Sequence, residues 1–278
     1  MSRLQPSSKP LRIAVMGLSG VGKTRLSRVL SRDSWFHYSV DYRIWTHYLG
    51  DQLSDYVKQL AMQHPLLREM LRRDAITVEH RVHIDNLLAT AYFMGMLGNP
   101  KELGSTLKDF SSRMAMHAEA EKAAMLDIPA FVERAQKLYQ YPHFMADLSG
   151  SLCEIVDVTD PDDPVLQMLD DSVTLIYICA TQSHTALLTK RNNANPKPMY
   201  YRPNFIAAEM PKLLTHFNVR SVENVSPKEV GAFLYPRLLA HRVERYEAIA
   251  AKHAVTLTME EAAAIQSEAD LLALLGRR

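Results

Sequence analysis

The sequence predicts an α/β protein, a central parallel sheet with helices on both faces in three layers, carrying a large helical insert. Three observations predict it. The apolar run IAVM leads through the glycine-rich GLSGVGKT at 17–24 into the helix-patterned RLSRVLSR. Further strand-like runs then alternate with helical stretches, the sequence mark of parallel strands joined by crossover helices. Between the second and third of those runs, residues 48–142 contain no strand-like run and much helical periodicity.

The first strand is read at 13–16, short and rich in branched apolar side chains, and Leu26, Val29 and Leu30 recur at helical spacing after the loop. The intervening pattern is Gly-x-x-x-x-Gly-Lys-Thr, with Gly17, Gly22, Lys23 and Thr24 in the defining places and Leu18, Ser19, Gly20 and Val21 between them. Glycines leave such a loop free to turn its N–H groups inward, and a helix beginning near Lys23 adds its positive dipole end at the same point. The expected ligand is a polyphosphate. Lys23 reaches its β- and γ-phosphates, Thr24 ligates the bridging Mg2+, and Arg25 closes the binding set.

A second strand is expected at 36–40, ending on Asp41, and a third at 144–146, running into Asp147 and the small-residue turn Leu148-Ser149-Gly150-Ser151. The run at 173–180, VTLIYICA, is apolar without alternation, as a strand buried on both faces should be. A weaker strand is read at 219–222. Ser226-Pro227-Lys228-Glu229 then has the residues of a helix N-cap, N1 and N3. Right-handed crossovers collect ligands outside the carboxyl ends of such strands, where Gly17, Asp41, Asp147 and Thr181 fall.

In the insert, Leu53, Tyr56, Val57 and Leu60 share one helical face, Leu87, Leu88, Ala91 and Met94 another, and Phe131, Ala135 and Leu138 a third. Asp127 with Pro129 just inside marks a helix start. His80 and His83 have i, i+3 spacing on an expected helix, but no third zinc ligand lies near them. The acidic stretch EIVDVTDPDDP at 154–164 reads as a solvated loop. After the fourth strand, Lys190, Arg191 and Arg202 bracket a segment rich in Asn and Pro that reads as a basic loop able to close over a transferring phosphoryl group.

With 278 residues and 47% hydrophobic content, the chain can bury a sizeable core. Thirty-two basic against thirty-one acidic residues leave a net +1, so charge gives no case for nucleic acid or an anionic membrane. Cys153 and Cys179 are too few for a disulfide framework, and Cys179 lies in an apolar run expected to be buried. The start, MSRLQPSSKP, lacks an apolar signal core and no run is long enough to span a bilayer, which points to a soluble cytoplasmic protein.

The order of these parts resembles the P-loop small-molecule kinases of the shikimate, gluconate and adenylate kinase type. The shared features are a Walker A loop after the first strand, an aspartate ending the second, a substrate-side insert, a glycine-containing turn after the third and an arginine-rich lid after the fourth. The resemblance implies a P-loop NTPase core over 1–47 and 143–278, a lid at about 184–205, and a helical insert over 48–142. It also implies adenine near 223–227 and, with no Asn-Lys-x-Asp signature, ATP rather than GTP. Shikimate kinases close the second strand on Asp-x-Asp, whereas Ser39-Val40-Asp41 keeps only the second aspartate. Asp147 takes the Walker B position on Mg2+, and Asp41 that of the base or substrate anchor. The functions expected are transfer of the γ-phosphate of ATP to a small molecule or, alternatively, a regulatory ATPase or nucleotide switch whose insert binds a protein partner.

Overall fold

The computed structural model describes residues 10–31, 34–83 and 86–276; the start of the chain at 1–9 and the side chain of Leu88 lie outside the described residues. The chain divides into two compact units. One comprises residues 1–40, 125–184 and 242–278, and the other residues 41–124 and 185–241.

The first unit holds a five-stranded parallel sheet. In chain order its elements are β1 (Arg12–Met16), α1 (Lys23–Leu30), β2 (Trp35–Ser39), α7 (Ile128–Lys137), β5 (His143–Asp147), α8 (Leu152–Ile155), α9 (Pro164–Ser172), β6 (Thr174–Cys179), β7 (Ala254–Thr258), α13 (Met259–Ala264) and α14 (Glu268–Leu275). The strand order is β2-β5-β1-β6-β7, every neighbouring pair parallel. From β1 the chain steps two places one way to β2, and from β5 two places the other way to β6. Right-handed crossovers therefore put α1 and α9 on opposite faces, an arrangement compatible with a three-layer α/β fold. All five residues of β5 are buried, as are four of five in β1, because both strands lie inside the sheet. On one flank Phe36, Tyr38, Phe131 and Phe144 stack into an aromatic cluster.

The second unit is built largely of helices: α2 (Val40–Arg43), a π-helical turn (Ile44–Tyr48), α3 (Gly50–Ala61), α4 (Pro65–Arg72), α5 (Leu88–Met94), α6 (Leu107–Leu126) and α11 (Pro203–Phe217). The division falls within four helices, near an end of α2 and of α6 and further inside α10 (Gln182–Ala194) and α12 (Pro227–His253). The unit also contains a pair of two-residue parallel strands, β3 (Met96–Leu97) and β4 (Gly104–Ser105), which no run in the sequence announces. Of the expected stripes, that on α3 has Leu53 buried, Tyr56 and Val57 half-buried and Leu60 exposed; that on α5 has Met94 buried with Leu87 and Ala91 half-buried; and that on α7 has Ala135 buried, Phe131 half-buried and Leu138, just past the helix end, exposed. Asp127 precedes α7 with its proline inside, as expected. Among the described residues no helix is long and apolar enough to cross a membrane.

Several expectations are corrected. The second strand ends at Ser39, and Asp41 sits two residues on, in the first turn of α2, where its charge complements the helix dipole. No strand forms at 219–222. Asn218 closes α11 in the left-handed conformation, and Ser221 then caps a 3-10 turn (Val222–Asn224) through the Glu223 N–H. The fifth strand is instead β7, so the loop at 223–227, expected to follow that strand, does not. The basic segment is mostly helical: Lys190 and Arg191 lie within α10, which stops at Ala194 because Pro196 disfavours helix at the residue before it. His80 and His83 are not on a helix. His80 Nδ1 lies 2.9 Å from Ser54 Oγ, and among the described residues no group of three or more His, Cys, Asp or Glu is placed to hold a metal ion. Glu154 is not solvated but buried on α8, and Cys179, at the end of β6, is only half-buried.

Candidate functional site

The site grows from the carboxyl end of β1, the strand at which the connections reverse direction across the sheet. The chain leaves Met16 into Gly17, whose φ is +143°, and a Cβ there would stand 2.6 Å from the backbone oxygen of Ile178. Only glycine fits. Gly20 (φ +80°) and Gly22 (φ +110°) also take left-handed conformations, and Gly22 delivers the chain into α1 as its N-cap.

Lys23, the first residue of α1, is buried and folds back over the loop, its Nζ donating to Gly17 O at 2.9 Å and Leu18 O at 3.1 Å. The exposed Thr24 donates from Oγ1 to Asp147 Oδ2 at 2.9 Å. Asp147 ends β5 in register with Val15 of β1 and Ser39 of β2, so the sheet carries its carboxylate to the mouth of the loop. Arg25 points elsewhere. Its guanidinium donates to Ala262 O on α13 at 3.3 Å. The structure thus brings together residues 17–24 and Asp147, whereas Asp41, Arg191 and Arg202 belong to the other unit. Arg202 has φ −61° and ψ 140°, the extended backbone expected before Pro203.

Residues with no obvious sequence signal complete the surroundings. His184, near the start of α10, is buried, and its Nε2 lies 3.2 Å from Ser19 O in the loop. Thr181 Oγ1 caps that helix by accepting from the His184 N–H at 3.2 Å. The turn after Asp147 is gripped from α12. Arg242 donates from Nη1 to Gly150 O and from Nε to Glu154 Oε1, both at 3.1 Å, and Tyr246 OH donates to Ser149 O at 3.3 Å. Arg245 adds donors to the carbonyls of Cys153 and Val156. Gly150 is thereby held against the loop, where a Cβ on it would be 3.6 Å from Ser19 N. Two arginines three positions apart on one helical face, after the apolar Leu238-Leu239-Ala240, are the signal that could have drawn attention to Arg242 and Arg245.

Charge states follow from burial. The Cys153 thiol is pushed up to about 12 by desolvation, so it stays protonated and unreactive at neutral pH. Burial also lowers the His37 pKa on β2, against the pull of the Asp147 carboxylate, and its Nε2 is a buried atom with no hydrogen-bond partner. What the arrangement offers chemically is a loop with three left-handed glycines, one buried ammonium, and a hydroxyl paired with a carboxylate at the loop's edge. No family model matches the chain, and a search of curated proteins finds no match either.

Proposed function

We propose that residues 17–24 bind the phosphates of ATP and that the protein is a phosphotransferase acting on a small-molecule hydroxyl. The observation that carries this reading is the 2.9 Å hydrogen bond from Thr24 Oγ1 to Asp147 Oδ2, between residues 123 apart in sequence. A hydroxyl donating its proton to a carboxylate turns its lone pairs outward, the orientation needed to ligate a divalent cation. Lys23 supplies the charge for the β- and γ-phosphates, and the three left-handed glycines leave the loop backbone free to aim N–H groups at them. Thr24, and Asp147 directly or through water, would hold Mg2+, which when bound neutralises charge on the phosphates. In the transfer, an acceptor oxygen bonds to the γ-phosphorus as the bond to the ADP oxygen breaks, and the acceptor's proton leaves to a base.

The test is equilibrium binding of Mg-ATP together with turnover against a panel of hydroxyl metabolites. Lys23→Ala should abolish turnover, and Asp147→Asn should weaken the dependence on magnesium while leaving the fold intact. Undiminished turnover in Lys23→Ala sinks the assignment.

A second reading, a nucleotide switch whose helical unit binds a protein, is favoured by one observation. Helix α4 buries none of its residues, and Leu66 and Leu67 on it, with Leu60 on α3, are exposed. Arg191→Ala and Arg202→Ala separate the two readings. A transferase should lose some thirty-fold to thousand-fold in single-turnover rate, about 2 to 4 kcal/mol, with little change in nucleotide affinity. A switch should show no such loss.

A further inference from the structure

We infer that His184 is a positioning residue of the glycine-rich loop, holding the Ser19 carbonyl so that the next peptide N–H, that of Gly20, stays turned the opposite way. The inference rests on the reading of 17–24 as an anion site. A nest that binds anions through N–H groups works only if its carbonyl oxygens point away, because each carries the wrong partial charge. In this loop three consecutive carbonyls are held. Gly17 O and Leu18 O accept from Lys23 Nζ at 2.9 and 3.1 Å, and Ser19 O lies 3.2 Å from His184 Nε2. A carbonyl oxygen can only accept, so His184 Nε2 must carry the proton, and both the Nε2–H tautomer and the imidazolium satisfy this.

The restraint acts where the backbone is least self-restrained. Gly20, at φ +80°, has no Cβ to oppose a flip of the Ser19–Gly20 peptide. Because N–H and C=O of one peptide point in opposite directions, fixing the Ser19 oxygen fixes the Gly20 N–H. His184 is itself buried, and its backbone is pinned by Thr181 at the head of α10. Two helices, α1 through Lys23 and α10 through His184, thus set the polarity of the loop.

The experiment compares the full-length wild type with His184→Met, which fills similar space without a donor, and His184→Gln, which places an amide donor near the same point. Dissociation constants for Mg-ADP are measured beside amide hydrogen exchange of residues 13–22 without nucleotide. His184→Met should weaken Mg-ADP by about tenfold, as expected for one lost hydrogen bond at a buried group, and speed exchange at 18–22 but not at 13–16. His184→Gln should recover most of both. Wild-type affinity and exchange in His184→Met, or equal impairment in both variants, overturns the inference. If the wild type binds no nucleotide, the anion-site reading fails, and exchange alone decides whether His184 holds the loop.

Discussion

Replacing Glu154 by Ala removes a carboxylate whose side chain is 0% exposed from an arginine whose side chain is 5% exposed, and so takes from a buried guanidinium the carboxylate to which its Nε donates. Breaking such a pair from one side costs about 3 to 5 kcal/mol, because the remaining charge keeps its desolvation penalty and loses the attraction that offset it. Here the penalty falls on Arg242, whose Nη1 also holds Gly150 O at 3.1 Å, so the turn beside the glycine-rich loop should loosen with it. A chain of two compact units need not unfold in one step, and the probe must report on the right unit. Trp35, 2% exposed on β2, does so once Trp45 of the other unit is replaced by Phe. Urea unfolding followed by Trp35 emission should then show a lower midpoint at an unchanged slope. The partner variant Glu154→Leu/Arg242→Met removes both charges and should recover most of the loss. A single-variant cost below about 1 kcal/mol, the range of solvated pairs, would refute the reasoning, as would a double variant no more stable than Glu154→Ala.

Two further outcomes are expected. Gly17→Ala must be strained at φ +143° and meet the Ile178 carbonyl at 2.6 Å, so it should lose about 2 kcal/mol or more by the same fluorescence assay, whereas Gly150→Ala, whose new methyl meets only ordinary contacts, should stay within about 1 kcal/mol of wild type. For His37 the sign follows from its lowered pKa: as pH falls below 6.5 the unfolded chain takes up a proton that the native state resists. Stability should therefore decline from that pH toward the lowered native value, and His37→Gln should remove that part of the decline. A variant with the same acid profile as wild type would show that His37 is not its source.

What could be read from the sequence was what local chemistry dictates. The glycine spacing at 17–24, the apolar β5 and β6 runs, the Asp127–Pro129 helix start and the extended Arg202 before Pro203 each have a cause within a few residues, and each is where that cause puts it. The misplaced elements are those decided at long range. Strand β7 follows a 27-residue helix with no glycine or proline at the junction, lies at the sheet edge and buries only Leu257, so it has no strong apolar run. Its signal was chemical: the run Val-Thr-Leu-Thr, three of its four residues β-branched, ending on the capping box of Thr258 and Glu261. Residues 219–222 offered valines of the same kind but no strand neighbour to pair with. Asn218 and Ser221 captured the backbone there instead.

The candidate site divides along the same line. The loop and Asp147 lie at strand ends, and a parallel sheet brings strand ends together whatever the spacing between them, which is why Thr24 and Asp147 meet across 123 residues. His184, Arg242, Arg245 and Tyr246 act instead through backbone carbonyls of other segments. A carbonyl is the same group at every position, so a side chain that recognises one leaves no complementary residue in the sequence to pair it with. Glu154 is the exception, since it answers Arg242 directly, yet it sits beside Asp157, Asp160 and Asp162, which make the whole stretch look solvated. Burial alone distinguishes it from them, and burial at that position is conferred by the last turns of α12, nearly ninety residues along the chain.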